Sequence, residues 1–359
     1  MTVARPGRVR AARLTDLAAL GELSRLSAPT GSDEPERAVR SLGLPVTASH
    51  VSVFSLFRMP LGAFQPHDPL YVYEEDGRLA GLARIERESL RDEWTIVELD
   101  AIDQGSAGDI RFRMVQHLLR DGSKRGAERF HVACADRGGN VELFMQAGFA
   151  RYGEENILYR DADKAWPAMP SDADTAALRI RPAAPLDALQ LARLYDAVTP
   201  RPVGRLEGYR LPDWERQDRG GRVPRSSLTP ILRFADIEGF VQDCPPGKAP
   251  ELAAFGQVGV AKAEQPHYLR IVSRSDHDPS DLIRYGLAVI GARSGDASRR
   301  RASGDLAHAH GVLTVVRTYE APLDRRLEEA GFDKVAQVSL LLKEALVRVA
   351  EPALVPAVR

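Results

Sequence analysis

The chain is 359 residues long and carries 49 Lys and Arg against 50 Asp and Glu, a formal net charge of −1. That length exceeds one ordinary core and suggests two domains, and a near-neutral balance argues against a nucleic-acid-binding surface over the whole protein. Apolar runs such as 287–290 are far shorter than the roughly 18 residues a membrane span needs, the N-terminus lacks the apolar core of a signal peptide, and two cysteines cannot build a disulfide framework or a metal site alone. The expected location is the cytoplasm, with Cys134 and Cys244 as reduced thiols.

In chain order, an opening strand around Val9 and Arg10 meets Asp16, placed as a helix N-cap ahead of Leu17, Leu20 and Leu23 at helical spacing. Residues 69–73 and 79–86 read as strands joined by a hairpin turn at 75–78. Residues 94–102 form a third strand, followed by a Gly-containing loop, a helix from Ile110 to Lys124, a strand at 130–135 and a short helix to Gln146. Gly148 ends that helix, as a residue free to adopt the left-handed conformation does, and a last strand takes 156–160. Residues 161–178, with Pro167 and Pro170, read as a linker.

The pattern then starts again. Ile180, Arg181 and Asp187, with Leu191 and Leu194 behind, repeat the opening at an offset of 171. Ala-Gly-Phe at 330–332 repeats the 147–149 close at an offset of 183, again followed by a strand, at 339–343. Matched openings, closings and element order mark a duplication whose second copy carries net insertions. The expected boundaries are 1–162 and 179–348, with a linker at 163–178 and a tail at 349–359. Each copy is α/β, a mixed sheet flanked by helices. Residues 199–230, rich in Pro, Gly and Arg, interrupt the second copy as either a cover over a cleft or a mobile loop. Arg299, Arg300 and Arg301 lie in an insertion at 293–304 expected to be a solvated loop, and His308 and His310 lack a third ligand, so no metal is expected.

Residues 125–149, with Arg-Gly-Ala closing one helix, an alternating strand, a short helix bearing Asn140 and then Gly-Phe, resemble the GNAT acetyltransferase superfamily; 313–332 repeats the later part with Leu323 in place of the Asn. The resemblance implies two tandem GNAT-like domains. It also implies acetyl-CoA as co-substrate, its pantetheine arm between two splayed strands and its pyrophosphate at a helix N-terminus, where backbone N–H groups and the macrodipole attract an anion. Carried onto this chain, the cofactor-binding positions are Ala101, Ile102, Ser106, Ala107, Gly108, Asp109, Ile110, Arg111 and Asn140, and the base is Glu98. The loop departs from the family pattern: Asp109 sets a negative charge beside the phosphates, though Arg111 and Arg113 offset it. The second copy has no glycine and three aspartates at 273–281, with Ser280 or Asp281 as the helix N-cap. Phe144 and Leu327 occupy the position of the family's proton-donating tyrosine. The expected activity is acyl transfer to a small-molecule or peptide amine by the first copy, in a monomer or homodimer without nucleic-acid partners. The alternative is a binding or scaffolding protein that has lost the chemistry.

Overall fold

The computed structural model describes residues 7–16, 18–20, 23, 69–88, 91–102, 107–136, 139–216, 223–245, 251–261, 265–301 and 310–345. The first copy supplies β1 (Arg8–Ala11), β2 (Leu70–Glu75), β3 (Arg78–Glu88), β4 (Glu93–Ala101), α1 (Ala107–Lys124), β5 (Arg129–Cys134), α2 (Asn140–Gln146) and β6 (Ala150–Arg160). After the short α3 (Asp172–Ala177), the second copy supplies β7 (Ile180–Pro182), α4 (Ala188–Val198), α5 (Arg201–Glu207), α6 (Leu211–Trp214), β8 (Phe234–Asp243), β9 (Leu252–Ala261), β10 (His267–Ser273), α7 (Ser280–Arg301), β11 (Val312–Arg317), α8 (Ala321–Glu329) and β12 (Asp333–Glu344).

Both copies open on the same electrostatic clasp. Arg10 holds Asp16 with both guanidinium nitrogens at 2.7 and 2.9 Å and also reaches Glu74 at 2.6 Å. Arg181 holds Asp187 at 2.7 and 2.8 Å and reaches Asp243 at 3.1 Å. Asp187 stands at the N-cap of α4 without a side-chain bond to it, and each Asp closes a short 3-10 turn, accepting from the N–H three residues back, Arg13 at 2.6 Å and Ala184 at 2.8 Å. In the second copy the carboxylate is shared by Arg181 and the backspaced N–H and makes no bond to the next turn, so the position of the expected N-cap holds and its capping bond does not.

The strands join in a single 12-stranded sheet, ordered β1-β2-β3-β4-β5-β12-β6-β11-β10-β9-β8-β7. The centre of that order shows that the copies exchange their last strands. β12 pairs with β5 of the first copy from Ser339↔Cys134 to Glu344↔Arg129, and β6 pairs with β11 of the second from Arg317↔Glu155 to Val312↔Arg160. At the 183-residue offset the two six-pair ladders correspond to within one residue. Between them β6 and β12 run antiparallel, with Glu155 opposite Val338, its counterpart at the 183-residue offset, so a pseudo-two-fold axis passes through this pair. The sequence predicts these strands but says nothing of the partner, because a strand's alternation fixes its faces and not its neighbour.

The exchange is built into both cores. Leu341 of β12 packs among Ile96, Val132, Phe144 and Phe149 of the first copy, while Leu158 of β6 lies with Ile271, Val316 and Phe332 of the second. Lysines close the crossing: Lys343 donates to Ala147 O at 3.0 Å behind α2, and Lys164 donates to Gly331 O at 2.6 Å behind α8. Each puts a cation at the negative end of the other copy's helix.

The 199–230 stretch is structured wherever it is described: α5 and α6 precede a segment, 223–232, that lies over the centre of the sheet with Leu228, Ile231 and Leu232 against Val97, Ile157 and Leu340. Arg299, Arg300 and Arg301, expected in a loop, continue α7; His308 lies outside the described residues. Among the described residues no helix is long and apolar enough to cross a membrane.

Replacing Leu341, fully buried in the first copy's core, by Ala should cost about 2–5 kcal/mol by the cavity it leaves. Urea unfolding gives the loss, and amide exchange should show β5 of the first copy losing protection together with β12. Loss confined to the second copy's strands would contradict the exchange.

Candidate functional site

The strands that part are β4 and β5. They pair in parallel only from Glu93↔Arg129 to Ile96↔Val132, after which β4 runs on alone beside β3 to Ala101. The register on β3 steps from Ile85↔Ile96 to Arg84↔Glu98 and leaves Val97 as an extra residue, a bulge at the point of parting. A bulge bends its strand and increases twist, turning the end of β4 away from β5. In the second copy β10 and β11 part as well, after Leu269↔Thr314, but β10 keeps an unbroken register on β9 from Tyr268↔Gly259 to Ser273↔Ala254.

The sequence-predicted residues surround the first copy's parting. Glu98 is buried and its carboxylate meets Arg84 Nε at 3.1 Å. Ala101 is buried, and Ile102 packs with Leu82 and Leu20. Ser106 lies outside the described residues. The helix starts at Ala107, earlier than predicted, so Gly108, Asp109, Ile110 and Arg111 form its first turn and not a loop. Gly108 and Asp109 are exposed, and a Cβ on Gly108 would meet nothing within 4 Å. Asp109 pairs with Arg113 one turn on, at 2.8 Å, so its charge is partly answered. Ile110 is core. Arg111 donates to Asn140 Oδ1 at 3.2 Å, joining the start of α1 to the start of α2.

The second copy differs at the corresponding helix. Asp278 accepts from Ser280 N at 3.0 Å and from Ser280 Oγ at 2.6 Å, and Arg326 stands 3.1 Å away. These bonds, the hydroxyl's first, hold the Asp278 carboxyl below its usual range. The capping carboxylate is therefore Asp278, two residues before the predicted cap, and it occupies the place an anion would take at this helix end. An open cleft of about 800 Å³ runs beside it, bordered by 273–279, Tyr319 and Arg326. Phe144 and Leu327, at the tyrosine position, are core residues in both copies. Burial pushes the Cys134 thiol up to about 12, the behaviour of a small apolar residue. Among the described residues no group of three His, Cys, Asp or Glu is placed to hold a metal.

At the closed end of the β4–β5 parting lies a cavity of about 30 Å³, walled by Thr95, Val97, His131 and Ala133 of the first copy and by Arg225, Ser227, Ile231, Arg317 and Leu340 of the second. A buried charge network borders it. Arg317 meets Glu155 at 3.0 Å and Glu207 at 2.9 Å and donates to Arg225 O at 2.8 Å. Tyr195 OH also donates to Glu207. Arg225 pairs with Glu88 and, at 3.0 Å, with Glu93, which Arg91 reaches at 3.0 Å and His131 Nε2 at 3.2 Å. Burial works against the charge on Glu93, yet His131, Arg225 and Arg91 outweigh it and bring its carboxyl down to about 2. Burial, with Arg225 nearby, lowers His131 to about 4. Sequence reasoning missed this network. The available signal was charge inside apolar strands, Arg270 within 268–272 and Arg317 at the end of 312–317, since fully buried arginines occur almost only with partners.

No family model and no curated protein matches the sequence. Solved structures do match in shape. A GCN5-related N-acetyltransferase from Sphaerobacter thermophilus is 15% identical, covers 94% of this chain and 95% of its own, and superposes with a TM-score of 0.52. The chain has the GNAT fold, twice over. A tandem GNAT protein from the clavulanic acid biosynthesis pathway is 14% identical, covering 94% of this chain and 98% of its own, at a TM-score of 0.48. The GNAT assignment rests on the first of these two, and at such identity it concerns the fold alone.

The His131 pKa sets a pH dependence. It lies near 4 in the folded protein against 6.5 as the ordinary value, so between these limits the unfolded chain binds the extra proton and stability falls as pH falls. His267, also lowered to about 4 by burial and by His310, acts in the same direction. Urea midpoints should drop from pH 6.5 to 4, and His131→Gln should flatten part of the slope. A level profile in the wild-type protein would contradict a buried neutral His131.

Proposed function

We propose that this chain is an acyl-coenzyme A-dependent N-acyltransferase, with acetyl-CoA as co-substrate and an amine on a small molecule or peptide as acceptor, and that the N-terminal copy holds the coenzyme. The bulged parting of β4 at Val97, leading into a helix whose first turn is open at Gly108, carries the reading. The residues fit the group there. Exposed backbone at Gly108 lets a pyrophosphate approach the helix dipole, Arg113 offsets Asp109, and Asn140, held by Arg111, flanks the gap between α1 and α2. In the second copy Asp278 fills the corresponding place with a charge of the wrong sign.

The coenzyme supplies an activated thioester. The chain's part is to hold the reactants together and manage the proton of the amine. Glu98 is the carboxylate on the parting strand, in contact with Arg84 at 3.1 Å, and is the residue that would accept the amine's proton. With Phe144 in the core, no tyrosine at the family position donates to the leaving thiolate.

One observation favours a second reading. The closed end of the parting is covered by 225–231 of the second copy, as expected of a GNAT-fold binding protein without chemistry. Isothermal titration with coenzyme A and acetyl-CoA tests the first step. One site per chain is expected, weakened about tenfold or more, at least ~1.4 kcal/mol, by Gly108→Glu and left unchanged by Asp278→Ala. No heat at millimolar ligand would remove the proposal. Thiol release with a panel of amines then separates the two readings, and coenzyme binding without any turnover leaves the silent one.

A further inference from the structure

The cavity at the closed end of the β4–β5 parting is built by both copies. The first copy gives it Thr95, Val97 and Ala133; the second gives Ser227 and Ile231 from the covering segment and Leu340 from the exchanged strand, where Leu340 pairs with Ala133. Its volume of about 30 Å³ is about two to three times the least that one water needs, the scale of an acetyl group. The walls also hold polar atoms with nothing to bond. Ser227 and Arg317 are 7% and 2% exposed, yet Ser227 Oγ and Arg317 Nη1 have no aligned hydrogen-bond partner. Such buried orphans are costly and rare, and a hydroxyl with a guanidinium N–H provides donors for one small acceptor oxygen.

We propose that this cavity receives the acyl end of the coenzyme's thioester and that the second copy thereby sets acyl-chain length, admitting a two-carbon acyl group and rejecting longer ones. This rests on the reading that the first copy holds the coenzyme. Under it the arm enters from the helix end and its acyl group arrives where β4 and β5 come together, after Ile96↔Val132. The methyl meets Ile231 and Leu340, and the carbonyl oxygen accepts from Ser227 Oγ and Arg317 Nη1. A copy that holds no coenzyme itself would then be part of its neighbour's specificity pocket.

The experiment measures dissociation constants of the full chain for free coenzyme A, acetyl-CoA and butyryl-CoA. Acetyl-CoA should bind about tenfold or more tightly than butyryl-CoA, the scale of a misfit methylene in an apolar pocket. Ile231→Ala should bring the two together while leaving free coenzyme A unchanged. Ser227→Ala should weaken acetyl-CoA but not free coenzyme A. Affinity for free coenzyme A also reports whether each variant is folded, and Ile231→Val, a smaller change, gives the same comparison if the alanine variant fails that check. Free coenzyme A failing to bind the wild-type chain overturns both this inference and the reading beneath it. Free coenzyme A binding, with acetyl- and butyryl-CoA within twofold of each other or with an acetyl-to-butyryl ratio that neither Ile231 variant moves, overturns the chain-length inference alone.

Discussion

The centre of this molecule is organised by a buried arginine that must be answered from both copies. Arg317 is 2% exposed, and an uncompensated charge at such depth costs several kcal/mol, on the order of 3–5 when one partner of a buried pair is removed. Glu155 comes from the first copy's last strand, Glu207 from the end of α5, and the carbonyl of Arg225 from the covering segment. Burial pulls against the charge on Arg317, and the two glutamates hold its pKa well above the ordinary value all the same. Apolar burial drives the copies together, and with the strands exchanged and segment 223–232 laid across the sheet both glutamates and the Arg225 carbonyl reach this guanidinium.

From that arrangement follows the asymmetry of a duplicated fold. The pseudo-two-fold axis passes between Glu155 and Val338, a carboxylate on one side and an apolar side chain on the other. The Glu155 side accepts Ser227 N at 2.7 Å and so anchors the cover over the first copy's half. Elsewhere the copies differ in ways that matter to an anion. β4 bulges and β10 does not; Asp109 turns to Arg113, whereas Asp278 turns onto its own helix end.

Much of the fold was legible because its signals are local. Arg10 with Asp16 and Arg181 with Asp187 repeat at a fixed spacing and form the same clasp, and Gly148 and Gly331 close equivalent helices with φ of 87° and 91°. Capping bonds were misjudged where side chains had better partners than the next turn, as at Asp187 and Asp278. The exchange was not legible, since nothing in 339–343 distinguishes pairing with β5 from pairing with β11. Of the candidate site, Gly108, Asp109, Asn140 and Glu98 were found from the family pattern, which fixes positions along one copy. Ser227, Arg317 and Ile231 were not, because they reach that copy from the other one.

The exchanged strand also has a consequence in time. The edge of β5 that receives β12 is synthesised about two hundred residues before its partner, which at ~5–20 residues per second is roughly 10–40 seconds of translation. Through that interval 129–134, whose side chains end up almost wholly inside, faces the cell as an open edge, the kind of surface that recruits other strands. β6, already made, offers a provisional neighbour. The first copy must therefore wait in an unfinished state, or hold a partner it later releases, until the last strand emerges.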